Sequence, residues 1–366
     1  RLMRIELVKR KEHSELMSLM SPLIAVGLTA LSAAIIFAIS GVNPALGLYK
    51  FFIEPLTEQW SLEATIEKAT PLILIGCGLA VCYLSNNWNI GAEGQFVVGA
   101  MFGSILPVMF PSFENSLTLP LMLICGVIGG ALWAMIPALL KTRFNTNEIL
   151  TSLMLVYVAG LLLDYLVRGP WRDPDGFNFP ESRIFSDAAT LPEVFGGMMS
   201  LATPITIIVA LVLAFVLAKT IKGFEIRVMG ESPRAGSFAG FSAKGLTIFS
   251  FALAGGLAGL AGTMVVSGSL NQLLPSISPG YGFTAIIVAF LGRLNPIGII
   301  IAGFVLALSY IGGEGVQSGL GVSNKIASVI QGLLLFYVLA CDTLILYRIR
   351  MVSRRAANPA GEVSHV

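Results

Sequence analysis

Any chemistry in this 366-residue chain must come from four polar segments. The stretch NWNIGAEGQFVVGA, Asn87 to Ala100, sets Asn87, Asn89, Gln95, Gly91, Gly94 and the carboxyl of Glu93 between two apolar runs. Such groups hold and release hydrogen-bonded partners; they do not supply a nucleophile. A second segment, KTRFNTNEIL, runs from Lys141 to Leu150. A third, FEIRVMGESPRAGSFAGFSAKG, runs from Phe224 to Gly245 and is dominated by Gly, Ala and Ser. A fourth, from Arg168 to Gly197, mixes charges, prolines and aromatics. The two histidines, His13 and His365, lie in the tails. Cys77, Cys82, Cys125 and Cys341 fall in or beside apolar runs without zinc spacing, as small core residues do. No catalytic triad and no metal site has the material it needs. No GxxxxGK[ST] phosphate loop is present. GGLAGLAGT, Gly255 to Thr263, has glycines but no lysine, and reads as a surface where membrane helices approach closely.

The elements that must position these segments are set by composition. The chain is 55% hydrophobic and 12% charged, with mean hydropathy +0.82. Soluble domains carry about twice that charge, so the reading is an all-α protein crossing a membrane many times. A span needs about 20 apolar residues. Candidates are Ser21 to Val42, Ile66 to Ser85, Ile90 to Phe110, Leu117 to Leu140 and Ile149 to Val167. A second set is Leu201 to Ala218, Leu246 to Ser267, Gly282 to Leu291, Pro296 to Ile311 and Ile326 to Leu346. That predicts about ten helices, within a range of eight to ten; the eighth is short, and either starts near Leu273 or is re-entrant. The spans occupy 21–346, after a charged N-terminal segment, 1–20, and before a tail, 347–366. No small-residue cleavage site precedes the first span, which reads as an anchor.

With the N-terminus in the cytoplasm, alternation leaves 17 of the 23 lysines and arginines on the cytoplasmic side, as the positive-inside rule requires. Both termini are then cytoplasmic. The segment 168–200 lies outside, and 219–245 is a cytoplasmic loop. Trp60, Trp88 and Trp171 fall near predicted interfaces. Glu67, Lys68, Glu93, Asp164 and Asp342 fall near predicted span ends. An ion-coupled transporter keeps ionisable groups near the midplane, so that class is weakened.

Each polar segment has a plain reading and a sharper one. Around Glu93 the plain reading is a helix start, with the carboxylate in a first turn that favours it. The sharper one is a polar constriction, because irregular backbone is tolerated at membrane depth only where protein or water meets it. In the second segment, Thr146 or Asn147 caps the next span. In the third, SPRAGSFAGF reads as a short helix capped by Ser232, with Pro233 at its first position and Gly240 at its end. Its small side chains suit a groove on a partner better than an idle connector. The fourth segment is long enough to be a functional surface.

The motifs carry a resemblance. NIGAEGQ resembles a signature of ABC importer permeases in the branched-chain amino acid, ribose and nucleoside group. TRFNTNEILTSLMLVYVA (Thr142 to Ala159), MGESPRAGSFAGFSAKG (Met229 to Gly245), PWRDPDGFNFPES (Pro170 to Ser182) and GYGFTAIIVAFLGRLNPIG (Gly280 to Gly298) are similar to segments of its simple sugar/nucleoside branch, in order along nearly the whole chain. Departures are Ser232 for Asn, Gly236 for Ala, which would loosen the short helix, and Arg293 for a small residue. The resemblance implies a plasma (inner) membrane permease with a fold similar to the cobalamin importer's. It implies a second permease, identical or paralogous, separate ATP-binding subunits carrying ATP and Mg, and an extracytoplasmic substrate-binding protein. Membrane lipid is a partner and nucleic acid is not; this chain itself holds no cofactor.

The resemblance also assigns residues. Asn89, Gly91, Glu93, Gly94 and Gln95 would form a gate element ringing the inner mouth. Arg227, Gly230, Ser232, Pro233, Arg234, Ala235, Gly240 and Phe241 would couple to the ATPase, with Asn145, Asn147 and Glu148 in a second cytoplasmic loop. Arg168, Trp171, Arg172, Asp173 and Asp175 would meet the binding protein. The substrate class implied is nucleosides or related simple sugars. A stand-alone secondary transporter or channel is the competing class; a membrane enzyme lacks an acid–base pair. Topology is directly testable. A cysteine at Asp175 should react with an impermeant maleimide in intact cells; labelling only after permeabilisation overturns the orientation.

Overall fold

Described in a computed structural model are residues 3–9, 15–197, 199–323 and 325–353, with side chains between 20 and 341. Parts of the expected terminal segments, 1–2, 10–14 and 354–366, lie outside the described residues. Among the described residues, apolar sequence has folded almost wholly into helices. The principal ones are α1 (Glu15–Ile39), α2 (Gln59–Leu84), α3 (Ala92–Gly103), α4 (Thr118–Phe144), α5 (Glu148–Arg168) and α6 (Ala202–Lys219). They continue with α7 (Ile221–Glu231), α8 (Pro233–Phe238), α9 (Ala243–Val265), α10 (Tyr281–Leu291), α11 (Pro296–Leu320) and α12 (Lys325–Leu346).

Among the described residues seven helices are long and apolar enough to cross a membrane: α1, α2, α4, α5, α6, α11, and α9 with its continuation to Leu270. This is a multi-pass membrane protein. Three of the expected spans take another form. The third is broken at Ser104 into α3 and a short helix, Ile105–Met109. The eighth, α10, has 11 residues and follows an irregular chain, so it does not start near Leu273. The second begins earlier than hydropathy indicated, at Gln59, which puts Glu67 and Lys68 two turns inside a helix rather than at its end. Phe224 to Glu231, read as loop, belongs to helix α7, whose start is capped by Thr220.

The core is α9 packed on α4, α3 and α2, with α11 and α10 on the other flank of α2. The glycines of α9 make this possible. A Cβ on Gly259 would lie 2.1 Å from the Gly126 carbonyl oxygen of α4, and one on Gly262 would lie 2.1 Å from the Phe96 carbonyl oxygen of α3. GGLAGLAGT is thus the contact surface its composition indicated. α1 packs on α12, joined by Ser32 and Tyr337 hydroxyls at 2.7 Å, and α12 in turn packs on α10 and α11. Their ends continue into strands β1 (Met3–Lys9) and β4 (Tyr347–Ser353), which pair antiparallel and set both ends of the described chain on one side of the bundle. On the opposite side a small hairpin, β2 (Glu193–Val194) with β3 (Met199–Ser200), closes the loop before α6.

The α4–α9 contact is backbone against backbone, so neither side can yield by a rotamer change. Gly259→Val should lower the thermal midpoint of the detergent-solubilised protein by at least about 5 °C. Gly332→Ala, on α12 with open space around it, should leave that midpoint unchanged. Fluorescence-detected size exclusion after heating measures both.

Candidate functional site

Where α2 ends, the chain does not simply turn and rise again. Asn86 takes a left-handed conformation, φ 57°, and the segment to Gly91 re-enters the bundle without regular structure. Its backbone groups are met by protein. The Ile90 N–H donates to the Ser152 hydroxyl of α5 at 3.2 Å, and the Gly91 N–H to Asn89 Oδ1 at 3.0 Å. Tyr83 donates its hydroxyl to the Asn89 carbonyl at 3.0 Å. The Asn89 and Gln95 amides bond reciprocally, both at 3.0 Å. Asn89 and Gln95 are almost fully buried.

Glu93 lies beyond this turn, buried, with only 8% of its surface exposed. Its Oε2 accepts the N–H of Gly282, the second residue of α10, at 2.6 Å. Close by, the Ser278 hydroxyl oxygen accepts the N–H groups of Gly280 at 3.0 Å and Tyr281 at 2.9 Å. The starts of α3 and α10 therefore meet head to head, with one carboxyl serving an otherwise unpaired amide of the second. The approach is close: a Cβ on Gly282 would lie 2.2 Å from the Glu93 nitrogen, and one on Gly94 would lie 2.9 Å from Val156 Cα. At its other end α10 stacks Phe290 on Tyr83, near the end of α2. Eight positions of helix, a rise of about 12 Å, lie between Gly282 and Phe290. The sequence reading put this turn at the inner mouth, at an interface between two permeases; the bond of Glu93 to the Gly282 amide is made within this chain.

The second polar segment joins the first. Asn145, φ 53°, ends α4 in a left-handed turn, and Asn147 caps α5 by accepting from the Ile149 N–H at 2.9 Å. Thr146 is no cap; its hydroxyl is buried without a partner. Lys141 bridges Asn87 Oδ1 at 2.9 Å and Glu148 Oε1 at 2.5 Å, and Thr247 of α9 donates to the same Asn87 oxygen at 3.0 Å. Four elements thus converge on Asn87. Sequence reasoning treated Asn87 as turn-forming and missed this junction, because its partners lie 54 and 160 positions away.

The third segment divides into packing and exposed residues. A Cβ on Gly230 would lie 1.9 Å from the Leu84 carbonyl oxygen, so Gly230 seats α7 on the end of α2. Phe241 packs edge-on against Phe224, centroids 6.3 Å apart. Neither belongs to an open surface. Arg227, Ser232, Pro233, Arg234, Ala235 and Gly240 are exposed. Ser232 precedes α8 but its side chain makes no capping bond, which corrects that expectation. Gly236 does not loosen the helix: a Cβ there would lie 2.1 Å from Met229 Sδ, so a glycine lets α8 fold onto α7. The residue not anticipated is Phe238, 94% exposed at the end of α8.

The fourth segment is strapped to the α9–α10 connection. The Ser182 N–H donates to the Leu273 carbonyl at 3.0 Å, Phe185 to Asn271 at 2.8 Å, and Leu191 to Ser267 at 2.8 Å. Arg168 pairs with Asp164, Asp173 with Arg183, and Trp171 is half-buried against the core. Arg172 and Asp175 are exposed. Beside this segment lies a cleft of about 550 Å³ lined by Trp60, Glu63, Glu67, Asp187 and Glu193 among others. A neighbouring cleft of about 400 Å³ runs from Glu67 and Lys68 to Ser278 and Tyr281, above Glu93. The acids come from separate segments, and nothing in their spacing announced a shared cleft.

Comparison with known proteins gives this arrangement a family. The chain belongs to the family described as branched-chain amino acid transport system / permease component, whose model matches residues 61–339. It is 36% identical to a glucose ABC transporter permease protein of Haloferax volcanii, over 92% of this chain and 90% of that one. It is 30% identical to a nucleoside ABC transporter permease protein of Lactococcus lactis, over 87% and 89%, and 28% identical to a guanosine ABC transporter permease protein of Bacillus subtilis, over 96% and 100%. The chain is a permease component, a transport subunit rather than an enzyme.

Glu93→Ala leaves the Gly282 amide without its acceptor at a buried position, a cost of about 1–3 kcal/mol. Glu93→Gln keeps a carbonyl oxygen there. Uptake by cells should fall strongly for Ala and partly for Gln at equal membrane abundance. Wild-type uptake by both variants would reduce Glu93 to a helix-end residue.

Proposed function

We propose that the chain is one permease of an ATP-driven importer for nucleosides or related simple sugars. An extracytoplasmic binding protein delivers the solute to the outer face, where Arg168, Trp171, Arg172, Asp173 and Asp175 line its landing side. A second permease, identical or paralogous, completes the path. ATP and Mg are held by separate ATP-binding subunits. About ten membrane-crossing or membrane-embedded segments and a likeness to the cobalamin importer complete this reading. Both termini face the cytoplasm, which the lysine and arginine bias and the β1–β4 pairing support. The names of the relatives support the substrate class.

Within this reading the segment 89–95 is a gate element at the cytoplasmic mouth. Its reciprocal amides and the Glu93–Gly282 bond fix the starts of α3 and α10 together, so a movement of either is passed to the other. The Lys141–Asn87–Glu148 junction ties that turn to the cytoplasmic loop of Asn145, Asn147 and Glu148.

One observation carries the coupling role: α8 is a short exposed helix with an aromatic side chain standing free at its end. α7 braces it against α2 through Gly230. A free phenylalanine between Arg227 and Lys244 suits a partner groove with an apolar floor and an acidic rim. Rim charges steer approach, while a buried aromatic anchor supplies affinity.

Phe238→Ala should weaken binding of the ATP-binding subunit by about 30-fold or more, the measure of an aromatic hot spot. Ala235→Trp should abolish it by bulk. The assay is co-purification of the ATPase beside uptake in cells. Retention and wild-type uptake in both variants would remove α8 from the coupling role and leave the Lys141 to Leu150 loop as its candidate.

A further inference from the structure

The cleft of about 400 Å³ between α2, the continuation of α9 and the start of α10 has no part in the gate or the coupling contact described above. Its volume falls in the range of small-ligand sites, about 300–1,000 Å³. Two ionisable side chains line it, Glu67 and Lys68, and both stand two turns inside a helix long enough to cross the membrane. Ionisable groups so placed turn toward a cavity or a partner, and mark solute pathways. Here the two differ. Lys68 is engaged within the protein: its ammonium pairs with Glu314 of α11 and lies 5.9 Å from the centroid of the Tyr310 ring. Glu67 is exposed and accepts from the Ser269 hydroxyl. A carboxylate has about four acceptor positions, so most of its capacity is left for an occupant.

The rest of the lining decides what that occupant is. Ser276 adds an exposed hydroxyl, and Leu270 and Ile277 are apolar. Tyr281 forms a wall held by two edge-on rings, Phe96 of α3 with centroids 6.0 Å apart and Tyr310 at 5.8 Å. An anion is disfavoured beside Glu67, because the cation of the lining is already paired. An organic cation would need carboxylates around it, and this lining supplies one. A ring with hydroxyls at its edge and apolar C–H faces matches an acceptor carboxylate, a serine and an aromatic wall. We propose that the cleft is a solute site for a neutral polyhydroxylated ring, a hexose or the ribose of a nucleoside. Glu67 accepts from two neighbouring hydroxyls, and Tyr281 packs against the ring. The choice of solute rests on the importer reading. The site has a path to the gate: Tyr281 opens α10 and adjoins Gly282, whose N–H donates to Glu93 at 2.6 Å. An occupant pressing on Tyr281 therefore acts on the joint between α3 and α10.

The test uses the full-length protein in lipid nanodiscs, where both faces are open to reagent. Ser276→Cys is made on a Cys125→Ser background, since Cys77, Cys82 and Cys341 are buried. Millimolar glucose or uridine should slow its modification by a methanethiosulfonate several-fold, and choline or glutamate should not. Asp175→Cys should be unprotected by any of them. With Glu67→Gln added, about tenfold more glucose or uridine should be needed for the same protection, as the loss of a bond to a charged group requires. Equal protection with and without Glu67→Gln overturns the proposal, and so does protection by choline alone. Absence of protection by both glucose and uridine, with normal ATP-driven uptake of either in cells, removes this site and leaves the importer reading standing. Protection without ATP-driven uptake of either solute does the opposite.

Discussion

Irregular backbone inside a bilayer has to be paired by protein, because lipid offers no hydrogen bonds. The structure depends on meeting that constraint at two places, the re-entrant turn before α3 and the chain before α10. Glu93 meets both. It stands in the first turn of one short helix and accepts from the first turn of the other. Around it, hydroxyls and amides rather than charges complete the pairing: Ser152, Ser278, Asn89, Gln95 and the Tyr83 hydroxyl. Neutral partners suit a buried site, where an unpaired charge would be costly. The same segment ends at a charged junction only at its outermost residue, Asn87, where Lys141 and Glu148 are part-exposed.

Short helices meeting end to end leave little room, and small residues set how near they come. Gly91, Gly94 and Gly282 place backbone against backbone at the turn, as Gly126, Gly130 and Gly259 do between α4 and α9. The two sets differ in consequence. The α4–α9 contact runs over several turns of two long helices, a fixed frame. The contact at Glu93 holds on a few directed bonds between elements that are themselves short, so it has fewer interactions to break before α3 and α10 separate. A gate drawn from that region would move against a frame that stays put.

Hydropathy made most of the fold legible. Every expected span coincides with a helix or a helix pair, since continuous apolar runs longer than a soluble core requires have few other outcomes. Hydropathy could not show where a run is interrupted. Ile90 to Phe110 reads as one span although Ser104 breaks it, because the residues on both sides are equally apolar. The polar segments were located by composition, but their partners were not. Gly282 lies 189 positions from Glu93, and only the fold brings them together. Gly230 and Phe241 were grouped with the exposed residues of the third segment because sequence proximity hides which side of a helix faces the bundle. Phe238 was passed over for the opposite reason: phenylalanine in an apolar chain is unremarkable until its surroundings are known. The β1–β4 pair did leave a signal, the alternation of Met3, Ile5 and Leu7 with Arg4 and Glu6, which a reading centred on helical spans does not look for.

The central claim is that the Glu93 carboxyl holds the starts of α3 and α10 together. Amide hydrogen exchange across 280–284 in the detergent-solubilised protein measures this most directly. In the wild type these amides should exchange slowly, and in Glu93→Ala they should exchange at least about tenfold faster, as the loss of a bond worth about 1.4 kcal/mol requires, while exchange across α11 stays the same. Equal protection of 280–284 in both proteins would contradict the account.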